Sequence, residues 1–496
     1  MLQTTATPQP IGPVAALRPL CVDLDGTLVK SDTLVDSLLM LMHTHPALIF
    51  RLPDRLLAGK AAFKAFVTES VSLDVAQLPY NRALLHFLNQ EHARGRDIFL
   101  ATGADAHLAH RVAEHLGIFT DVLASDGAIN LTGSMKLDSL RNRLDNAAFD
   151  YIGNDAPDLP LLAQATQAMV ANPSLRLRMN LKTRGIHPVQ TFADRKPLAQ
   201  SFAKALRLHQ WAKNLLIFVP LLCSHALTQA KLLAALAAFF CFSLTAASAY
   251  IVNDLVDLDA DRRHSRKLQR PFAAGDLPAI AGVIIAAIFL AAGLAGAAML
   301  PGRFFAWELV YLATTLAYSL LLKRFALVDV LALSGLYSLR LLAGGSVTQT
   351  PISHWLAGFS MFLFLSLAIV KRFAELKNLS AANALPRNDL PRNNLPRNGR
   401  GYLVSDLDQL RSFGTASAYA AMVVFAIYIT GPDVVQLYHK PRLLWLSVPL
   451  ITLWLNRVWL LASRGRLDED PVAFALTDPM SQIIGIMVAI VMLLAI

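Results

Sequence analysis

Two groups of acidic residues are spaced for chemistry on phosphate. In RPLCVDLDGTLVKSD an apolar run ends at Asp23 and Asp25, two residues apart, so both carboxylates emerge together where a strand would run into a loop. DIFLATGAD, Lys136 and FDYIGNDAPD then contribute Thr102, an ammonium, Asp155 and Asp158. A carboxylate can attack phosphorus when a cation screens its repulsion from the phosphate. A second acid must handle the leaving-group proton, and donors must hold the phosphoryl oxygens. Mg2+ suits such a set, because it takes carboxylates, carbonyls and water.

In AYIVNDLVDLDADRRHSRKLQRP, Asp254, Asp257 and Asp261 are spaced by three and four and share one helical face, with Asp259 off it. Stacked carboxylates at the end of an apolar span repel one another, and a divalent cation with its phosphate cargo relieves the repulsion. Asn253 adds a neutral ligand or hydrogen bond. Arg262, Arg263, Arg266, Lys267 and Arg270 follow; they either hold diphosphate oxygens or form a solvated loop on the positive side of a membrane.

These residues need elements to carry them. Strand-like and helical stretches alternate before about residue 200, which predicts a doubly wound α/β sheet of Rossmann type with ligands beyond the carboxyl ends of its strands. Asp23, Asp25, Thr102, Lys136, Asp155 and Asp158 then face one crevice, and the helical stretch 31–92 is expected to cap it. After residue 200 come nine apolar stretches, at about 214–228, 231–252, 279–300, 304–322, 325–345, 352–370, 415–432, 442–462 and 479–496. They predict an all-α bundle of nine transmembrane helices. Residues 1–199 and 200–496 are therefore read as two domains. LPRNDLPRNNLPRNG, within 381–400, reads as a flexible, low-complexity loop.

More than half of the 496 residues are apolar and the net charge is +10. The basic residues cluster in alternate loops between apolar stretches, which points to membrane lipids and phosphate substrates and away from nucleic acid. The same asymmetry predicts a multi-pass protein of the cell membrane, with its N-terminal domain in the cytosol and its C-terminus outside. The first twenty residues show no basic segment followed by an apolar core, so no cleaved leader is expected. Three scattered cysteines exclude a disulfide framework. A homo-oligomer stays open.

The four motifs of residues 15–195 resemble the haloacid dehalogenase superfamily, in its phosphoserine-phosphatase-like branch. The resemblance implies Asp23 as nucleophile, Asp25 as general acid and base, and Thr102 and Lys136 on the phosphoryl group. Asp155 would hold Mg2+ together with Asp23 and Asp25, and Asp158 would support the site from behind. A degenerate domain kept as a scaffold is the bland alternative. NDxxDxxxD followed by RP resembles the UbiA superfamily of membrane prenyltransferases, over about 200–496. HQWAKN, YSLLLKR, LVDVLALSGLYSLRLLAGG, KRFAEL and DEDPVAFALTD look like its decaprenyl-phosphate phosphoribosyltransferase branch.

That resemblance implies phosphoribosyl diphosphate and polyprenyl phosphate as substrates, with Mg2+ on Asp254 and Asp257. The second aspartate motif of aromatic-acceptor members is not evident as DxxxD; Asp329, Lys371, Arg372 and Glu375 stand in its region. Lys213, Lys323, Arg324, Lys371 and Arg372 are candidates for placing two anionic substrates together. The alternative is transfer of a polyprenyl group from its diphosphate to an aromatic or other small acceptor. Arg340 and Glu308 lie at similar depth on neighbouring spans, and a structural ion pair between them is expected.

Overall fold

The apolar run before Asp23 forms the middle of a parallel sheet in the computed structural model, which describes residues 17–225, 227–264, 266–383, 400–467 and 471–496. The first sixteen residues, the LPRN repeat and the acids at 468–470 lie outside the described residues. The chain forms two compact units. One holds residues up to Leu206 together with Ile251–Ile284, and the other holds Arg207–Tyr250 and Ile285–Ile496.

In the first unit, strands β1 (Leu20–Val22), β2 (Ile98–Asp105), β3 (Asp121–Ser125), β4 (Asp150–Gly153), β5 (Ala168–Ala171) and β6 (Gln190–Phe192) lie in the order β3-β2-β1-β4-β5-β6. All pairings are parallel, with Leu20 opposite both Ile98 and Asp150. Alternation along β1 sends Leu20 and Val22 to one face and Cys21 to the other. The first two pack among Leu84, Leu88, Leu100 and Val112, whereas Cys21 packs among Leu140, Tyr151, Leu161 and Leu177. Both faces are therefore buried, as a parallel sheet requires. The strand order reverses direction between β1 and β4, so the crevice for a ligand opens where Asp23 and Asp155 leave these strands.

The helix Thr33–Thr44 starts at Asp32, whose carboxylate accepts from the amides of Leu34 and Val35 at 3.0 and 3.1 Å. Lys60–Ser70 follows, and Arg82–Ala93 lays Leu84 and Leu88 onto the sheet.

Among the described residues, six helices are long and apolar enough to cross a membrane: Gln229–Val256, Ala279–Ala298, Val328–Val347, His354–Asn378, Val404–Thr430 and Pro441–Ser463. Phe304–Leu320 and Pro479–Ala495 are apolar but shorter. The stretch expected as a first span at 214–228 is instead a 3-10 turn, Ala212–Phe218, followed by the short helix Val219–Cys223. Residues 208–223 are helical throughout, but the stretch is not among the six helices of spanning length. This turn packs against Val328–Val347 through Gly344, where a Cβ would stand 2.1 Å from the Ile217 carbonyl oxygen.

The expected ion pair between Glu308 and Arg340 is not formed. Arg340 donates to Asn214 Oδ1 at 2.8 Å, to Tyr311 Oη at 3.2 Å and to the Leu336 carbonyl, with its guanidinium over the rings of Phe242, Tyr311 and Tyr337. Glu308 accepts from Thr245 through Oε1, and its buried Oε2 has no protein partner. Equal depth on neighbouring helices sets height along the bundle but not the direction in which a side chain points.

Candidate functional site

Asp23 leaves the end of β1 with its amide bonded to the Ile152 carbonyl at 3.0 Å. Lys136, near the start of the helix Ser134–Arg143, donates to Asp23 Oδ1 at 2.8 Å, to Asp158 Oδ1 at 3.1 Å and to Tyr151 Oη at 3.1 Å. Asp158 also accepts from the amides of Asn154 and Asp155 at 3.0 and 3.3 Å, which ties down the loop after β4. Gly153 must lack a side chain there, because a Cβ would lie 2.7 Å from the Asp158 carboxylate. Asp25 accepts from the Thr33 amide at 2.8 Å, and Asp155 from Ser174 Oγ at 2.6 Å. The ladder between β2 and β3 shifts register between Ala101 and Asp105, which frees Thr102 from regular pairing at this end of the sheet.

Burial pushes the Asp23 carboxyl up to about 6 despite the pull of Lys136, with Asp158 adding to the rise. Burial also raises Asp25, to about 8, with Asp32 and then Asp23 contributing. For Lys136, burial opposes the charge, but Asp23 and Asp158 overcome it and raise the ammonium above its ordinary value. Carboxyls held this high by burial have charged forms short of compensation, which a divalent cation supplies. Among the described residues, no three His, Cys, Asp or Glu side chains gather into a metal-sized cluster. Mg2+ does not need three, since one or two carboxylates suffice when backbone, water and phosphate oxygens complete its shell. Asp23 and Asp155, leaving adjacent strands, fit that requirement.

Sequence reasoning missed several residues here. Lys64, on the helix Lys60–Ser70, reaches the Gly103 carbonyl at 2.6 Å and Asn130 Oδ1 at 2.8 Å. Thr27 Oγ1 bonds Asp23 Oδ2 at 3.3 Å and Asn154 Oδ1 at 3.2 Å. Thr27 lay in the quoted motif and was legible, whereas Lys64 looks like any surface lysine until the chain folds.

The second acidic group lies where Gln229–Val256 ends. Asp257 sits in the turn before the short helix Leu258–Arg262, so the face does not lie on one unbroken helix. The amides of Asp257 and Asp261 still bond the carbonyls of Asn253 and Asp257, at 2.9 and 2.8 Å, which carries helical spacing through the turn. Asp254 and Asp261 are buried, and Arg270 bridges them at 3.0 and 2.6 Å. Asn253 donates to Asp257 Oδ2 at 3.1 Å. Arg266 precedes the turn Lys267–Gln269, and Lys267 stands 4.0 Å from Asp261. Carboxylates one turn apart with a guanidinium beside them fit a divalent cation carrying a diphosphate.

Lys213, Lys323, Arg324, Asp329, Lys371 and Arg372 belong to the other unit. Arg372 is buried and pairs with Asp329 and with Glu375, and it donates to Tyr318 Oη at 2.8 Å. Tyr402 donates to the other oxygen of Asp329. Lys213 lies over the Tyr337 ring at 5.6 Å. Lys323, half-buried, and Arg324, exposed, lie in a 3-10 turn, and Lys371 is half-buried beside Arg372.

The UbiA prenyltransferase family profile matches residues 215–480. The chain is 34% identical to the uncharacterized protein y4nM of Sinorhizobium fredii over 95% of this chain and 90% of that one. It is 36% identical to the decaprenyl-phosphate phosphoribosyltransferase of Mycobacterium tuberculosis over 36% of this chain and 61% of that one. A UbiA homolog from Archaeoglobus fulgidus, solved with GPP and Mg2+, covers 59% of this chain and 96% of its own, at 18% identity and a TM-score of 0.44. With its membrane-length helices and its family match over more than half its length, this multi-pass membrane enzyme belongs to the UbiA prenyltransferase family and carries in front of the matched region an α/β domain built on a six-stranded parallel sheet.

Proposed function

We propose that residues 200–496 move a 5-phosphoribosyl group from phosphoribosyl diphosphate to a polyprenyl phosphate. Residues 1–199 then act as a Mg2+-dependent phosphatase that removes the 5-phosphate of the product. The observation that carries the transfer reading is Arg270 held between the buried Asp254 and Asp261, with Asp257 between them in the chain. Such a set binds an anion and a divalent cation together. The similarity to the mycobacterial phosphoribosyltransferase supports the choice of donor. So does the engagement of Asp329 by Arg372 and Tyr402, which leaves that region poor in carboxylate for a second metal. We take the bundle to cross the cell membrane nine times, with the α/β domain in the cytosol.

In the transfer, an oxygen of the lipid phosphate forms the bond to the anomeric carbon as the bond to diphosphate breaks. Asp254 and Asp257 would hold Mg2+, which supplies charge neutralisation for the leaving diphosphate. Arg270 orients that diphosphate. In the phosphatase step, Asp23 forms a bond to phosphorus while Asp25, neutral by virtue of its burial, passes a proton to the departing sugar oxygen. Asp25 then takes a proton from the water that releases phosphate from Asp23. Lys136 and Thr102 hold the phosphoryl oxygens. Asp23 and Asp155 would hold the Mg2+ of this site.

Prenyl transfer to an aromatic or other small acceptor is the competing reading, because the matched family is named for prenyl transfer. Purified protein in nanodiscs, given labelled phosphoribosyl diphosphate, polyprenyl phosphate and Mg2+, should yield a lipid-linked pentose. Free phosphate should be released by wild type and not by Asp23→Asn. An unlabelled lipid fraction overturns the transfer, and equal phosphate release overturns the phosphatase step.

A further inference from the structure

We propose that Arg262, the last residue of the short helix Leu258–Arg262, is a positioning residue for the phosphate-ester site of the α/β domain. The inference rests on reading that domain as a phosphatase. Arg262 directly follows Asp261, and both are buried. Its Nη2 stands 2.8 Å from Asp36 Oδ2 and 3.2 Å from Ser31 Oγ, and its Nε lies 3.4 Å from the Ala273 carbonyl. Ser31 Oγ donates in turn to Asp36 Oδ2 at 2.6 Å.

Ser31 and the helix carrying Asp36 both hold the nucleophile loop. The Ser31 carbonyl accepts from the amide of Gly26, three residues after Asp23, at 3.2 Å. Thr33, which begins the Asp36 helix, donates its amide to Asp25 at 2.8 Å. Gly26 has φ +74° and a Cβ there would strike Asn154, so this turn accepts few other geometries.

The segment 262–276 grips a second point. A Cβ at Gly275 would lie 2.7 Å from Lys30 Cβ, and Asp276 stands 3.8 Å from Lys30 Nζ. Lys30 and Ser31 are thus both anchored by residues of the 262–276 segment.

The Asp36 carboxylate is fully enclosed, and its Oδ1 has no protein partner. Without the guanidinium it becomes an uncompensated buried charge, and it must move toward water or draw Ser31 with it. The shift would pass to Gly26 and to the Thr33 amide, and so to the placement of Asp23 and Asp25. Because Asp261 shares Arg270 with Asp254, adjacent residues of one short helix serve the two sites. The phosphatase geometry is therefore completed by the short helix that follows Asp257 and carries Asp261.

The test uses the full chain in nanodiscs, with p-nitrophenyl phosphate as substrate and amide deuterium exchange as a readout that needs no turnover. Wild type and Asp23→Asn fix the active and inactive limits. Arg262→Met should lower kcat roughly 10- to 100-fold with little change in KM, since the loop is displaced rather than the binding surface removed. Exchange over residues 24–36 should quicken in Arg262→Met while the strands keep their protection. Arg262→Lys should recover part of both. Unchanged exchange in Arg262→Met, or exchange that rises evenly over the whole sheet, overturns the proposal. If wild type is as inactive as Asp23→Asn, the phosphatase reading fails, and exchange alone then supports or overturns the link from Arg262 to the loop.

Discussion

Lys136 Nζ lies 2.8 Å from Asp23 Oδ1 and 3.1 Å from Asp158 Oδ1, so one buried ammonium holds two buried carboxylates where β1 and β4 end. Its loss leaves both acids uncompensated and removes the donor proposed for the phosphoryl group. Lys136→Met should lower phosphate-ester hydrolysis roughly 10²–10³-fold. It should also destabilise the α/β domain by about 3–5 kcal/mol. Steady-state kinetics and thermal unfolding of the same preparation check both, and Lys136→Arg should keep more stability than activity. Full stability in Lys136→Met would argue against the buried pair.

Arg270 is shared by Asp254 and Asp261 at the end of the helix that carries the second acidic group. Arg270→Gln should raise KM for phosphoribosyl diphosphate by about tenfold or more, because a charge-assisted contact is worth roughly 1.5–3 kcal/mol. KM for the lipid phosphate should change less. A variant with wild-type donor affinity would remove Arg270 from diphosphate binding.

Cys21 has its thiol raised by burial, from 9.0 to about 12, with Arg96 opposing the rise. The thiol therefore stays protonated in the folded domain while the unfolded chain ionises above about pH 9. Its contribution to stability is intact below that pH and is lost as pH climbs toward the folded value. Iodoacetamide at pH 8.5 should leave Cys21 unmodified in folded protein and modify it in urea, as read by peptide mass spectrometry. Modification of folded protein at the unfolded rate would contradict its burial.

Gly344 and Gly335 lie on one helix in opposite surroundings. A Cβ at 344 meets the Ile217 carbonyl oxygen at 2.1 Å, whereas a Cβ at 335 meets nothing within 4 Å. Gly344→Ala should destabilise the bundle by about 1–3 kcal/mol through overpacking, and Gly335→Ala should not. Thermal scans of the two detergent-solubilised variants compare them directly, and equal midpoints would mean that the 3-10 turn at 212–218 is not packed there.

The strands could be read because their residues carry the signal locally: LCV before Asp23 and DYIG before Asp155 are short apolar runs ending in acids. Long apolar helices are legible for the same reason, since length and composition suffice. The stretch 214–228 is harder to read, because hydropathy gives the outline of a span while the chain takes 3-10 geometry over Ala212–Phe218 and packs against Gly344.

Residue order alone determined that carboxylates two apart would leave one strand together, and that Asp254 and Asp261 would stay on one side through a helical repeat. It could not choose partners for buried charges. Arg340 took Asn214 and Tyr311 rather than Glu308, Arg372 took Asp329 and Glu375, and Arg262 took Asp36, more than two hundred residues away. Periodicity is a property of neighbours along the chain, whereas an ion pair depends on which surfaces pack and how each side chain is turned about its axis. Only the folded structure supplies that information.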